Sequence, residues 1–135
     1  MKMLKKLRRS DEGAAVVELA FGLPVFIALL WMVVQLGLVF RAMSGIQHAL
    51  GQGARAATLW PVPDADAIDD AMEAAVYGVG PGDFDITPPH KGSADGSDYY
   101  DLQVTYTQHT DLLVFPGPTV SVTLSKRVWV SETDD

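Results

Sequence analysis

Between Leu19 and Phe40 the chain carries no formal charge, and Gln35 is the one strongly polar side chain in that run. As a helix rising ~1.5 Å per residue the run spans ~33 Å, close to the ~30 Å of a bilayer's hydrocarbon core. The spacing predicts a transmembrane helix. Glu18 stands immediately before the run, just inside the apolar border. An ionised acid at the centre of a membrane helix costs ~2.5–3.5 kcal/mol on insertion scales, and less near the interface. A plain anchor has no use for Glu18, so the acid needs a partner.

Charge sets the expected orientation. Lys2, Lys5, Lys6, Arg8 and Arg9 crowd the N-terminus, whereas the chain after Phe40 is acidic, and the formal net charge is −7. Basic residues stay on the cytoplasmic side, so the remainder is expected outside it. An acidic outer domain has too few bases to neutralise a phosphate backbone, which argues against nucleic acid. The absence of cysteine excludes disulfides, thiolate metal sites and a cysteine nucleophile. The apolar run is too long for a secretory h-region of ~7–15 residues. The arginine pair lacks the hydrophobic follow-up of a twin-arginine signal.

A partner for Glu18 appears if the chain is cut after Gly13. Ala14 then carries a fresh ammonium, and Glu18 becomes the fifth residue of the new N-terminus, "AAVVE". The positive end of a helix favours an acid in its first turns. Between staggered neighbouring helices the carboxylate of one can meet the ammonium of the next. Two unit charges ~4 Å apart attract by ~4 kcal/mol at an effective dielectric near 20, enough to offset much of the cost of placing the acid in lipid.

"GAAVVE" is similar to the processing site of type IV prepilins. The wider segment from about Arg8 to Thr58 resembles the TadE-like minor pilins and pseudopilins of tight-adherence (Flp-type, type IV-like) pilus systems. The matching features are the arginine pair before the glycine, "VEL", Leu23-Pro24, the apolar run and the late "GARAA". Two features depart from ordinary type IV pilins: Ala14 stands where phenylalanine is commonest, and Asp11 and Glu12 separate the basic cluster from Gly13. The resemblance implies a pilin-like fold and a structural subunit cut by a prepilin peptidase between Gly13 and Ala14. Glu18 would then register it against other pilins and pseudopilins. It also implies a single-pass protein of the bacterial inner membrane, with a periplasmic C-terminal domain, handled by the inner-membrane assembly platform and open to incorporation in a pilus. The alternative is an unprocessed single-pass envelope protein whose extracytoplasmic domain binds a ligand or partner.

The expected organisation is a basic cytoplasmic leader (1–13), a long helix (14–59) with its transmembrane segment at 19–40, and a small extracytoplasmic α+β domain (60–135). Pro24 lies inside the helix and is expected to bend it mildly or to unwind it locally on extraction from the bilayer. Beyond the membrane, Met43, Ile46, Leu50 and Ala54 keep helical spacing. Gly45, Ala49, Gly53 and Ala57 form a small-residue stripe that lets another backbone approach. Either the chain's own sheet or a neighbouring subunit would fill it.

Pro61 and Pro63 end that helix. A short second helix is expected from an N-cap at Asp64 to a stop at Gly78, with Ile68, Met72, Ala75 and Val76 on its apolar face. The following Gly- and Pro-rich stretch reads as loop, with a short strand near Phe84 to Thr87. Period-two alternation then places Tyr100, Leu102, Val104 and Tyr106 on one strand face. Val120, Val122, Leu124, Val128 and Val130 share a face of the next strand, and "FPGP" at Phe115 to Pro118 is expected to turn between the two. The fold class is therefore α+β: a long helix, a short helix and a small antiparallel sheet.

Catalytic chemistry is not expected. His48, His90 and His109 lack metal-ligand spacing. Asp95, Asp98 and Asp101 could attract calcium but lack the EF-hand pattern, and Asp-Gly and Ser-Asp read as turn residues. "GVGPG" lacks the Lys-Ser/Thr of a phosphate loop. No cofactor or metal is expected.

Overall fold

A computed structural model of the protein describes residues 11–112 and 115–130. The elements run α1 (Asp11–Ala57), α2 (Ala65–Glu73), β1 (Asp83–Ala94), β2 (Ser97–Leu112) and β3 (Phe115–Val130). The strands form an antiparallel sheet in the order β1-β2-β3. The fold is α+β, with one long apolar helix, one short helix and a three-stranded antiparallel sheet, as the periodicities indicate. Residues 1–10 of the basic leader lie outside the described residues, and 11–13 form the start of α1.

α1 is 47 residues long and continues through Pro24, which makes it ~70 Å from end to end. Its two halves meet different surroundings. From Gly13 to Val34 every residue but the half-buried Ala28 is exposed. From Val39 onward the helix becomes amphipathic, and Ala42, Ile46, Ala49, Leu50, Ala54 and Ala57 are buried. These positions recur every three or four residues, the spacing that keeps one helical face on a core.

α2 begins where expected. The Asp64 carboxylate accepts a hydrogen bond from the Ala67 N–H at 2.9 Å, which satisfies one of the helix's orphan donors. Ile68 and Met72 are completely buried against α1 and the sheet. The helix stops at Glu73, earlier than the expected Gly78. The chain after it crosses α1, and the Tyr77 backbone lies where a Cβ on Gly45 would stand. Gly78 follows with φ +68°, a conformation that suits glycine.

β1 is longer than the expected short strand. It runs on through Pro88 and Pro89, with a register irregularity between Thr87 and His90. Among the described residues β1 pairs only with β2, and prolines are tolerated at such an edge and at a bulge. The "FPGP" segment is likewise strand rather than turn: Phe115 pairs with Leu112 and Pro116 with Asp111. β3 is the other edge of the sheet, so here too a missing N–H need not break a ladder on both sides. The β1–β2 connection is a tight turn at Asp95 (φ 53°) and Gly96 (φ 77°), the double positive φ of a hairpin turn.

The core lies between the C-terminal half of α1, α2 and one face of the sheet. Tyr100, Leu102, Val104 and Tyr106 of β2 are buried there, joined by Val128 and Val130 of β3. Val120, Val122 and Leu124 are half-buried on the same face. The strand parities read from the alternation are those of the folded sheet.

Candidate processing and assembly site

The Gly13–Ala14 bond lies near the start of α1, where the first N–H groups of any helix lack intrahelical partners. Glu18 follows Ala14 by four residues, so the two occupy one helical face about one turn apart. Both are exposed. Around them Val16, Val17, Leu19 and Phe21 are exposed apolar side chains. Among the described residues no hydrogen bond or ion pair reaches Glu18. The helix thus presents a lone carboxylate within an uncovered apolar cylinder. That arrangement performs no chemistry by itself, but it can be met by a cationic group from outside the chain.

The small-residue stripe is occupied. Gly45, Ala49, Gly53 and Ala57 are all buried, and this chain covers them. A Cβ on Gly45 would strike the Tyr77 backbone. One on Gly53 would strike the Met72 side chain and come within 3.3 Å of Leu102 Cδ1. In the folded chain the stripe seats α2, its following loop and β2 against α1.

Two hydrogen bonds between residues that the sequence alone does not connect tie the middle of α1 to the sheet. Gln108 is completely buried. Its Nε2 donates to Gln35 Oε1 at 2.7 Å, and its Oε1 accepts from the Tyr106 hydroxyl at 2.7 Å. Burial pushes the Tyr106 phenol above its ordinary pKa, with the Gly82 backbone pulling the other way. One turn down the helix from Gln35, the Trp31 indole N–H donates to the Asp111 carbonyl at 2.6 Å. Gln108 breaks the alternation of apolar residues on the buried face of β2. That polar interruption, matched to the lone Gln35 on α1, was the signal available in the sequence.

Asp98 and Asp101 lie on β2 and form ordinary pairs. Asp98 meets Lys91 at 2.9 Å, and Asp101 forms a two-pronged pair with Arg127 at 2.7 and 2.8 Å. The Lys91 and Arg127 hydrogen bonds hold both carboxyls below the usual carboxylate range. Asp95 sits in the hairpin turn. His109 Nδ1 lies 2.8 Å from Thr119 Oγ1, and His48 packs edge-on to Tyr77. Among the described residues no three His, Cys, Asp or Glu side chains are grouped to hold a metal ion.

Among the described residues one helix, α1, is long and apolar enough to cross a membrane, its most apolar stretch reaching a mean hydropathy of 2.4. No curated protein and no solved structure matches the chain. The model of the TadE-like protein family matches residues 13–55, beginning at the glycine before Ala14 and ending within the last turn of α1. It is over this helix, exposed half and buried half together, that the chain is similar to the TadE-like family.

Proposed function

We propose that the chain is a structural minor pilin or pseudopilin of a tight-adherence pilus machine, made as a precursor and cut by a prepilin peptidase between Gly13 and Ala14. Residues 1–13 form the cytoplasmic leader. The exposed N-terminal half of α1 anchors the subunit in the bacterial inner membrane, and residues 60–135 fold outside the cytoplasm against the other half. Its partners are the peptidase, the inner-membrane assembly platform and other pilins, and its role is assembly rather than catalysis. The observation that carries this reading is Glu18, an exposed and unpartnered acid one turn beyond Ala14 on an uncovered apolar helix, in a segment whose family match opens at Gly13.

The test is the intact mass of the mature protein from cells carrying the native pilus machinery. A chain beginning at Ala14, with Gly13→Leu remaining full length, supports the proposal. A chain still beginning at Met1 in those cells removes the processing step and favours the unprocessed envelope protein.

A further inference from the structure

β2 descends α1 almost antiparallel to it. At the top, Leu102 lies against Gly53, and at the bottom Asp111 lies against Trp31. Two rulers agree on the distance between those contacts: ~33 Å along the helix and ~31 Å along the strand. The last rung of the hairpin, Leu112 paired with Phe115, extends one strand residue further. That adds ~3.4 Å and brings Phe115 to the level of Leu29 and Leu30 on the helix. Phe115 is 71% exposed there. The sheet therefore reaches well down the apolar run.

A membrane span extending to Phe40 conflicts with this geometry. It would place the lower end of an open-edged sheet, with Gln108, His109, Thr110 and Asp111, inside hydrocarbon. Lipid-exposed sheet edges do not occur there, because their N–H and C=O groups find no partners. The conflict disappears if the outer boundary lies at Trp31. From Glu12 to Trp31 α1 rises ~29 Å, a full hydrocarbon thickness. An indole at that level is a customary interfacial anchor.

We propose that the distal end of the β2–β3 hairpin rests on the outer leaflet, with Phe115 inserted into lipid beside the Trp31 level of α1. The proposal rests on the membrane reading above. It gives the outer domain two attachments to the bilayer and restricts its tilt on the helix. It also sets Glu18 ~9 Å inside the inner boundary, counted from Glu12, where an unpartnered carboxylate is less tolerable than at the border.

The chain has no cysteine, so single-cysteine variants need no background removal. Phe115→Cys, Leu29→Cys and Ser121→Cys, each in the full chain, are nitroxide-labelled in phosphatidylethanolamine/phosphatidylglycerol vesicles. Collisions with oxygen and with a water-soluble nickel chelate are then compared. All three positions are exposed, so the label displaces no core side chain. The expected result is an oxygen-to-nickel ratio at Phe115 several-fold above that at Ser121 and approaching that at Leu29. A ratio at Phe115 equal to that at Ser121, with Leu29 in lipid, overturns this inference and leaves the membrane reading standing. Low collision rates with both reagents at Phe115 mean protein cover, such as a second copy, and also overturn it. A nickel-accessible Leu29 overturns the membrane reading itself.

Discussion

The two halves of α1 are equally helical and both rich in apolar residues, yet they have opposite relations to the rest of the chain. Between Gly13 and Val34, Val17, Phe21, Phe26 and Ile27 point to different sides of the helix and all are exposed. Between Gln35 and Ala57, Ile46, Leu50 and Ala54 line one face and are covered by α2 and the sheet. An all-round apolar surface suits a uniform apolar solvent, whereas a stripe suits a one-sided protein partner. The junction is marked by polar groups: Gln35 bonded to Gln108, and Trp31 bonded to Asp111. Hydrophobicity alone does not distinguish the halves; the loss or gain of periodicity does.

The largest expected difference comes from one substitution made in both regions. Leu102→Ala removes a completely buried side chain from the interface with α1 and should cost the outer domain ~2–5 kcal/mol. Leu29→Ala, on the exposed half, should leave that domain's thermal unfolding unchanged. Near-UV circular dichroism melts in detergent read both variants. Equal losses would mean that the halves are not energetically separate.

Glycines sharpen the contrast. Gly45→Ala forces the Tyr77 backbone away from α1, an overpacking that should cost ~1–3 kcal/mol. Gly37→Ala meets nothing within 4 Å and should gain up to ~1 kcal/mol of helix propensity. The same melts should therefore move in opposite directions.

Gln35→Leu probes the junction. If Gln35 lay within lipid, leucine would be the better residue. Bonded as it is to the buried Gln108 amide, its loss should instead destabilise the outer domain by roughly 1 kcal/mol, since Gln35 is only half-buried. A rise in the unfolding temperature would assign Gln35 to the membrane half.

The smallest effect is electrostatic and belongs to the outer domain alone. Asp98 and Asp101 are held below the ordinary carboxylate pKa of ~3.9. Their pairs therefore contribute stability above that pH, and the contribution is lost as pH falls through the lower folded values. Asp69 has the opposite sign. Burial, with help from Asp70 and Asp66, raises its pKa, so its cost near neutral pH is relieved as pH falls through the raised value. Arg127→Ala should flatten the acid-side loss, and Asp69→Asn should give a small gain near pH 7, both read from unfolding temperature against pH.

Local signals in the sequence were sufficient for much of this architecture. The Asp64 cap, the Ile68–Met72 face and the parities of β2 and β3 each depend on residues within a few positions of one another. The errors share a different cause. Pro88-Pro89 and "FPGP" read as breaks, because their tolerance depends on edge positions that only the sheet order reveals. Gly78 read as a helix stop, although the helix ends earlier and the chain crosses α1 at Gly45. Nothing within the run to Phe40 signalled the bonds from Gln35 to Gln108 and from Trp31 to Asp111, whose partners lie 73 and 80 residues away. The small-residue stripe was legible as a packing surface, but its occupant was not. Ala14 and Glu18 share one face of α1 because four residues make about one helical turn.

The exposed half of α1 is, in this account, the surface on which other subunits assemble, with Glu18 setting their register. A photo-crosslinker at the exposed Phe21 tests this most directly in cells carrying the pilus machinery. The comparison is among the wild type, Glu18→Gln and Glu18→Leu at matched protein levels. The account predicts crosslinks to other pilins in the wild type and their loss in both variants, with membrane insertion and cleavage retained. Unchanged crosslinks in both variants would contradict it and leave α1 as a plain anchor.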